Sequence, residues 1–185
     1  TKYPFFIDAR ENVLCMLPYT NSEDTGKVTL ATKNVFIECT GTDLANVQLA
    51  LNMFVAMFAD MGGEIYSLDI VYPDKTITTP HLTPTKMKLD LAYVNQRLGL
   101  HLDIKQAEEL LRRMGYGYEK GSVAGQGTAL IPAYRADILH QVDLMEDIAI
   151  AYGYENFKEE IPNVATIGEE DAFEESDDKV KVFYN

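Results

Sequence analysis

No stretch of this sequence comes near the roughly 18 consecutive apolar residues of a membrane-spanning helix, so no such span is expected. The start, Thr1-Lys2-Tyr3-Pro4-Phe5, lacks the charged and then apolar build of a secretory leader. It also lacks an initiator Met, and reads as cut or processed upstream. Cysteine is scarce: Cys15 and Cys39 have no CxxC spacing and no accompanying histidines, which fits two reduced thiols in an intracellular protein. His81, His101 and His140 are scattered without ligand spacing, and neither a Walker loop nor a GxSxG elbow is present. Basic residues are few, 16 against 29 acidic ones, for a net charge of -13. Glu169 to Asp178 contributes seven of those acids and no base; without it the balance is 16 against 22. The body is therefore mildly acidic and has no basic stripe for a nucleic-acid duplex, so neither DNA nor a membrane is an expected partner. What is present is 185 residues at 46% hydrophobic content, enough for one medium domain or two small ones.

Residues 3–17 read as a β-hairpin turning at Arg10-Glu11-Asn12. A polar loop, Pro18 to Lys27, leads to a short extended piece, Val28 to Thr32, and then to Asn34–Thr40, whose NVFIECT pattern predicts a mostly buried strand. Thr42 or Asp43 caps a helix carrying Leu44, Val47, Leu51, Phe54, Val55 and Phe58 at helical spacing, and Gly62-Gly63 stops it. Glu64–Tyr72 reads as a strand, Pro73-Asp74 as a turn, and Thr76–Thr79 as a further strand. Strand, helix, strand suggests an α/β layer, here with one face uncovered.

Pro80 to Pro84 is the best linker candidate. Beyond it, Asp90 caps a helix through Leu98, ended by Gly99. Asp103 and Gln106 form a capping box for the next, whose stripe is Ile104, Ala107, Leu110, Leu111 and Met114. On that helix Glu108 and Glu109 face Arg112 and Arg113, and Gly115 closes it. Tyr116–Lys120 and Thr128–Ile131 read as strands joined by the glycine-rich Gly121–Gly127, and Gln141–Tyr152 as a last helix ending at Gly153. Helix, helix, strand, strand, helix over this length is a small α+β module of winged-helix character.

The strongest local signal is Pro132-Ala133-Tyr134-Arg135-Ala136-Asp137-Ile138, followed by Asp143, Glu146, Asp147 and Tyr152-Gly153-Tyr154. Asp143, Glu146 and Asp147 lie at i, i+3 and i+4, a single arc of one helix, with Asp137 just upstream. With Met145, Ile148, Ala149 and Tyr152 on the opposite side, that acidic arc is expected outside the core. Four converging carboxylates suit a hard divalent cation such as Mg²⁺; equally, acids in a first helical turn complement the helix dipole and need no ligand.

The string PxxRxDIxxxxDxxEDIAxxYGY resembles the end of the B5 domain of phenylalanyl-tRNA synthetase β subunits, and Arg112-Arg113-Met114-Gly115 and Lys88–Leu100 fit that domain too. The resemblance implies a Mg²⁺ shared with the α subunit and held here by Asp137, Asp143, Glu146 and Asp147. Asn34–Asp43 and the strand Val13–Pro18 resemble the final part of the B3/B4 region of archaeal and eukaryotic β subunits, which hydrolyses tRNA(Phe) mischarged with tyrosine. Its pocket acid and threonine map to Glu38 and Thr40, two positions on one strand face, where an acid suits a phenolic hydroxyl. The plainer alternatives are a salt bridge for Glu38 and a helix-entry cap for Thr40. Cys15 falls near a further pocket position.

Together these readings give an α+β chain: residues 1–79 the C-terminal part of the B3/B4 editing region, 80–84 a linker, 85–160 the B5 domain, and 161–185 an acidic, disordered tail. Ile161-Pro162 and Thr166-Ile167 still keep the family register, which is lost after Gly168. The resemblance implies a cytoplasmic heterotetramer of two α and two β subunits acting on tRNA(Phe), phenylalanine and ATP, with this piece inactive alone. A stand-alone nucleic-acid-binding or protein-interaction module of winged-helix type is the alternative.

Overall fold

The computed structural model describes residues 2–161 and 172–184, which fall into two units, Thr1–Tyr154 and Glu155–Asn185. Pro162, Thr166-Ile167 and the acids at 169–171 lie outside the described residues.

The hairpin forms from β1 (Phe5–Ile7) and β2 (Val13–Met16), and β3 (Thr20–Asn21) adds a third antiparallel strand on β2. Asp8 builds the turn: its Oδ1 accepts from the backbone N–H groups of Arg10 and Asn12, which lets Glu11 sit at a positive φ of 66°. Asn34–Thr40 is a correction. It belongs to no strand, and Phe36 is 61% exposed. A β-prone sequence becomes a strand only where a second strand meets its backbone donors and acceptors, and none does so among the described residues.

Helix α1 (Leu44–Asp60) is capped by Asp43, whose Oδ1 accepts the Asn46 N–H at 2.8 Å. Most of its expected apolar stripe is not buried: Val55 is, while Leu44 and Phe54 are exposed. Strands β4 (Leu68–Val71) and β5 (Thr76–Thr79) form a separate two-stranded sheet around the Pro73-Asp74 turn. The first 79 residues thus hold strand, helix and strand in the expected order, as two small sheets and a helix, within the α+β fold expected of the chain.

The core lies beyond the linker. Strand β6 (Thr85–Asp90) was absent from the sequence reading. It pairs with β8 (Gln126–Ile131), which pairs in turn with β7 (Gly117–Lys120), giving the antiparallel order β6-β8-β7. Its signal was strict alternation: Lys86 and Lys88 face solvent while Leu89 is buried. Helices α2 (Leu91–Leu98), α3 (Ile104–Arg113) and α4 (Gln141–Tyr152) complete the module. Asp90 and Asp103 cap α2 and α3 as expected, the latter with the full Gln106 box, and Gly99 closes α2 at φ 66°. Val94, Leu111, Ala129, Leu144 and Ile148 are completely buried, Leu89 of β6 joins them at 2% exposure, and Tyr118 of β7 packs against the cluster. Asn52 of α1 ties the earlier region to this module: its Nδ2 donates to the carbonyls of His81 and Ala133 at 3.0 and 3.1 Å.

In the second unit, the tail expected without structure carries helix α5 (Ala172–Tyr184). Its acids precede its lysines by one turn, in the favourable order, as Glu175–Lys179 and Asp177–Lys181 pairs.

Candidate functional site

The 132–154 signature enters α4 through a turn in which the Arg135 N–H donates to the Pro132 carbonyl at 3.0 Å. That turn sends the Arg135 guanidinium back over the start of the helix. Its Nε and Nη2 donate to the two oxygens of Asp137 at 2.8 and 2.6 Å, and the same Nη2 reaches Asp147 Oδ2 at 2.8 Å. Tyr116, placed just after the left-handed Gly115 that ends α3, donates its hydroxyl to Asp147 Oδ2 at 2.5 Å. The guanidinium carbon lies 5.4 Å from the centre of the Tyr116 ring, within cation–π range.

Asp147 overturns the expectation of an outward acidic arc: it is only 7% exposed. The buried face of α4 is Leu144, Asp147, Ile148 and Ala151, so this carboxylate stands in the middle of the core face, made tolerable by two donors. Helical spacing gave the width of the acidic arc and left its direction open. Asp143 serves as the capping acid of α4; its Oδ2 accepts the Leu139 and His140 N–H groups at 2.8 and 2.7 Å. Glu146 is exposed and, among the described residues, makes no hydrogen bond or ion pair. Asp137, Asp143 and Asp147 are therefore each engaged by a different set of donors, and Glu146 by none among the described residues. Among the described residues no three His, Cys, Asp or Glu side chains are gathered so as to hold a metal ion. As a self-contained Mg²⁺ centre the set does not fit.

These contacts shift the titrations in consistent directions. The hydrogen bonds from Arg135 hold the Asp137 carboxyl below its usual range. Burial first, and then the bond to Asp147, push the Tyr116 phenol well up. A phenol kept protonated in the folded chain but free to ionise when unfolded stabilises the fold below about pH 10, and that contribution is lost as pH rises further. Stability should therefore fall more steeply above about pH 10 in the wild type than in Tyr116→Phe, measured by urea unfolding. Equal slopes would show that the Tyr116 proton is not held by the fold.

Thr40 lines an open cavity of about 500 Å³ with Tyr3, Pro4, Pro18, Tyr19 and Gly41, and Glu38 is not part of that lining. Glu38 Oε1 is buried with no hydrogen-bond partner, Glu38 makes no salt bridge among the described residues, and residues 34–40 form no strand that could give it a face in common with Thr40. Thr40 is not the cap of α1, a role held by Asp43. Cys15 lies opposite Phe6 across the hairpin, and the Phe6 ring meets Phe36 edge-on at 6.2 Å. Burial, and then the Glu38 charge, push the Cys39 thiol up. The sequence reading missed Tyr116 and the clamp role of Arg135, both separated from Asp147 by more than two helical turns of chain.

Residues 87–154 match the family model of the tRNA synthetase B5 domain. Across 97% of its length the chain is 44% identical to the phenylalanine–tRNA ligase β subunit of Pyrococcus abyssi, and equally identical to that of Thermococcus kodakarensis. The chain belongs to the family of phenylalanine–tRNA ligase β subunits. It spans about a third of the length of these β subunits, 32% and 31% respectively. A crystal structure of an N-terminal fragment of the phenylalanyl-tRNA synthetase β subunit from Pyrococcus horikoshii superposes with a TM-score of 0.75 at 47% identity, over 82% of this chain and 43% of that one. The β-subunit match also corrects the sequence reading at its end: coverage of 97% carries the likeness beyond Gly168, where the register had seemed lost.

Proposed function

We propose that this chain is the section of a phenylalanine–tRNA ligase β subunit that joins the editing region to the B5 domain. It works with an α subunit, in a heterotetramer, to charge tRNA(Phe), with ATP and phenylalanine handled by the α subunit. The observation that carries this reading is the β-subunit likeness across nearly the whole chain, with the B5 match over residues 87–154 ending on the 132–154 signature. No helix among the described residues is long and apolar enough to cross a membrane.

For editing, the supporting feature is Glu38. A buried carboxylate oxygen with no donor is costly, and the phenolic hydroxyl of a mischarged tyrosine is a donor that phenylalanine lacks. The test is hydrolysis of Tyr-tRNA(Phe) and Phe-tRNA(Phe) by the heterotetramer with Glu38→Ala in the β subunit. We expect the preference for the tyrosyl ester to fall by about tenfold or more, the worth of one hydrogen bond to a charged group. Unchanged discrimination would remove Glu38 from the pocket, and no hydrolysis by the wild type would remove the editing role.

For Mg²⁺, the carboxylate oxygens without a hydrogen bond among the described residues are those of Glu146, Asp143 Oδ1 and Asp147 Oδ1; Glu146 and Asp143, one turn apart on α4, are the accessible pair, while Asp147 is only 7% exposed. Two ligands make at most part of a coordination shell, so the remainder falls to the α subunit and water. EDTA should then weaken association of the two subunits, and Glu146→Gln should reproduce the effect.

A further inference from the structure

We propose that Arg135 is the resident cation of the 132–154 signature: its guanidinium neutralises Asp137 and Asp147, so these two carboxylates close an internal clamp and do not serve a metal. One nitrogen, Nη2, stands 2.6 Å from Asp137 Oδ2 and 2.8 Å from Asp147 Oδ2, the position between two acids that a bridging ion would need. The fork is completed by Nε on Asp137 Oδ1, so both oxygens of that acid are engaged. Asp147 Oδ2 receives the Tyr116 hydroxyl as well, and the residue is only 7% exposed. Mg²⁺ keeps several waters and near-octahedral geometry, for which a carboxylate 7% exposed, with Oδ2 already holding two donors, leaves no room. A guanidinium stays charged at every accessible pH, so it is not titrated out of the way, and it repels a second cation beside it. The Tyr116 ring beneath it favours the flat guanidinium over an ammonium. The clamp ties the end of α3, the β8–α4 connection and the second turn of α4 into one unit, and so fixes where Asp143 and Glu146 are presented.

The shared-cation reading enters only in that Asp143 and Glu146 are left to it, and the two fail separately. The test uses the 185-residue chain, with thermal melts in millimolar Mg²⁺ and in EDTA and with Mn²⁺ relaxation as the binding probe. We expect the wild-type melting temperature to be the same in Mg²⁺ and EDTA. R135Q should melt lower and R135K in between, and R135Q/D147N should lose less than the sum of its two single changes. Any weak Mn²⁺ binding should drop with E146Q and stay within about twofold with D147N. A wild-type melt raised by Mg²⁺, with that rise abolished by D137N or D147N, would overturn the assignment. Should R135Q fail to fold, the wild-type Mg²⁺ comparison and the D137N and D147N titrations decide it. If E146Q leaves both Mn²⁺ binding and subunit association unchanged, the shared-cation reading falls while the clamp stands.

Discussion

Asp147→Ala should lower the unfolding free energy of the chain by about 3 kcal/mol, the low end of the range for breaking a buried ion pair from one side. Three groups feel the loss. The Tyr116 hydroxyl, on a residue only 4% exposed, is left with no acceptor. Arg135 keeps Asp137, but that partner is largely exposed and its contribution is screened. The small methyl also leaves space on the core face of α4 beside Leu144 and Ile148. Because the Arg135 side chain retains 19% of its exposure, water recovers part of the cost, which is why the upper end of the range is not expected. Asp147→Asn should cost less, since the amide oxygen still accepts from Tyr116. Urea unfolding of both variants measures the difference, and a loss below about 1 kcal/mol for the alanine would mean that the clamp does not hold the module together.

Leu144→Ala should cost a similar amount, about 3 kcal/mol, by a different route. Leu144 is completely buried at the point where α4 faces α2, α3 and the sheet. Removing three carbons from such a site forfeits their transfer free energy and opens a cavity that close-packed neighbours fill only in part. Against a typical domain stability of about 5–15 kcal/mol this is a large share. Leu30 supplies the control, because it is fully exposed and its replacement by alanine should stay within about 0.5 kcal/mol. If the two variants melt alike, the core is misplaced.

The sequence was most informative where a local rule decides the outcome. Asp43, Asp90 and Asp103 were readable as caps because capping needs only a short side chain and the next turn of backbone. The Pro73-Asp74 turn and the β7–β8 hairpin were readable for the same reason. Legibility ended where a residue's role depends on something distant in the chain. The Asn34–Thr40 segment has the side chains of a strand but no neighbour to pair with, and a strand is a property of two segments. β6 follows directly on a proline-rich linker and is only six residues long, and its ladder partner lies about 40 residues on, so its alternation alone does not mark it as a strand. The acidic arc of α4, expected outside the core opposite Met145, Ile148, Ala149 and Tyr152, is split: Glu146 is exposed and Asp143 half-buried, while Asp147 lies on the buried face. Only Tyr116 and Arg135, arriving from other elements, turn Asp147 inward.

Asn52 has a mechanical consequence. Its amide grips the chain at His81, just ahead of β6, and at Ala133, just beyond β8. Thr85 and Ile131, the first rung of the β6–β8 ladder, lie immediately inside those two points. Tension drawing the linker away from the exit of β8 would open that ladder like a zipper, one rung after another, starting at Thr85. The two bonds of Asn52 stand across the mouth of the zipper, so they take the load before the first rung does.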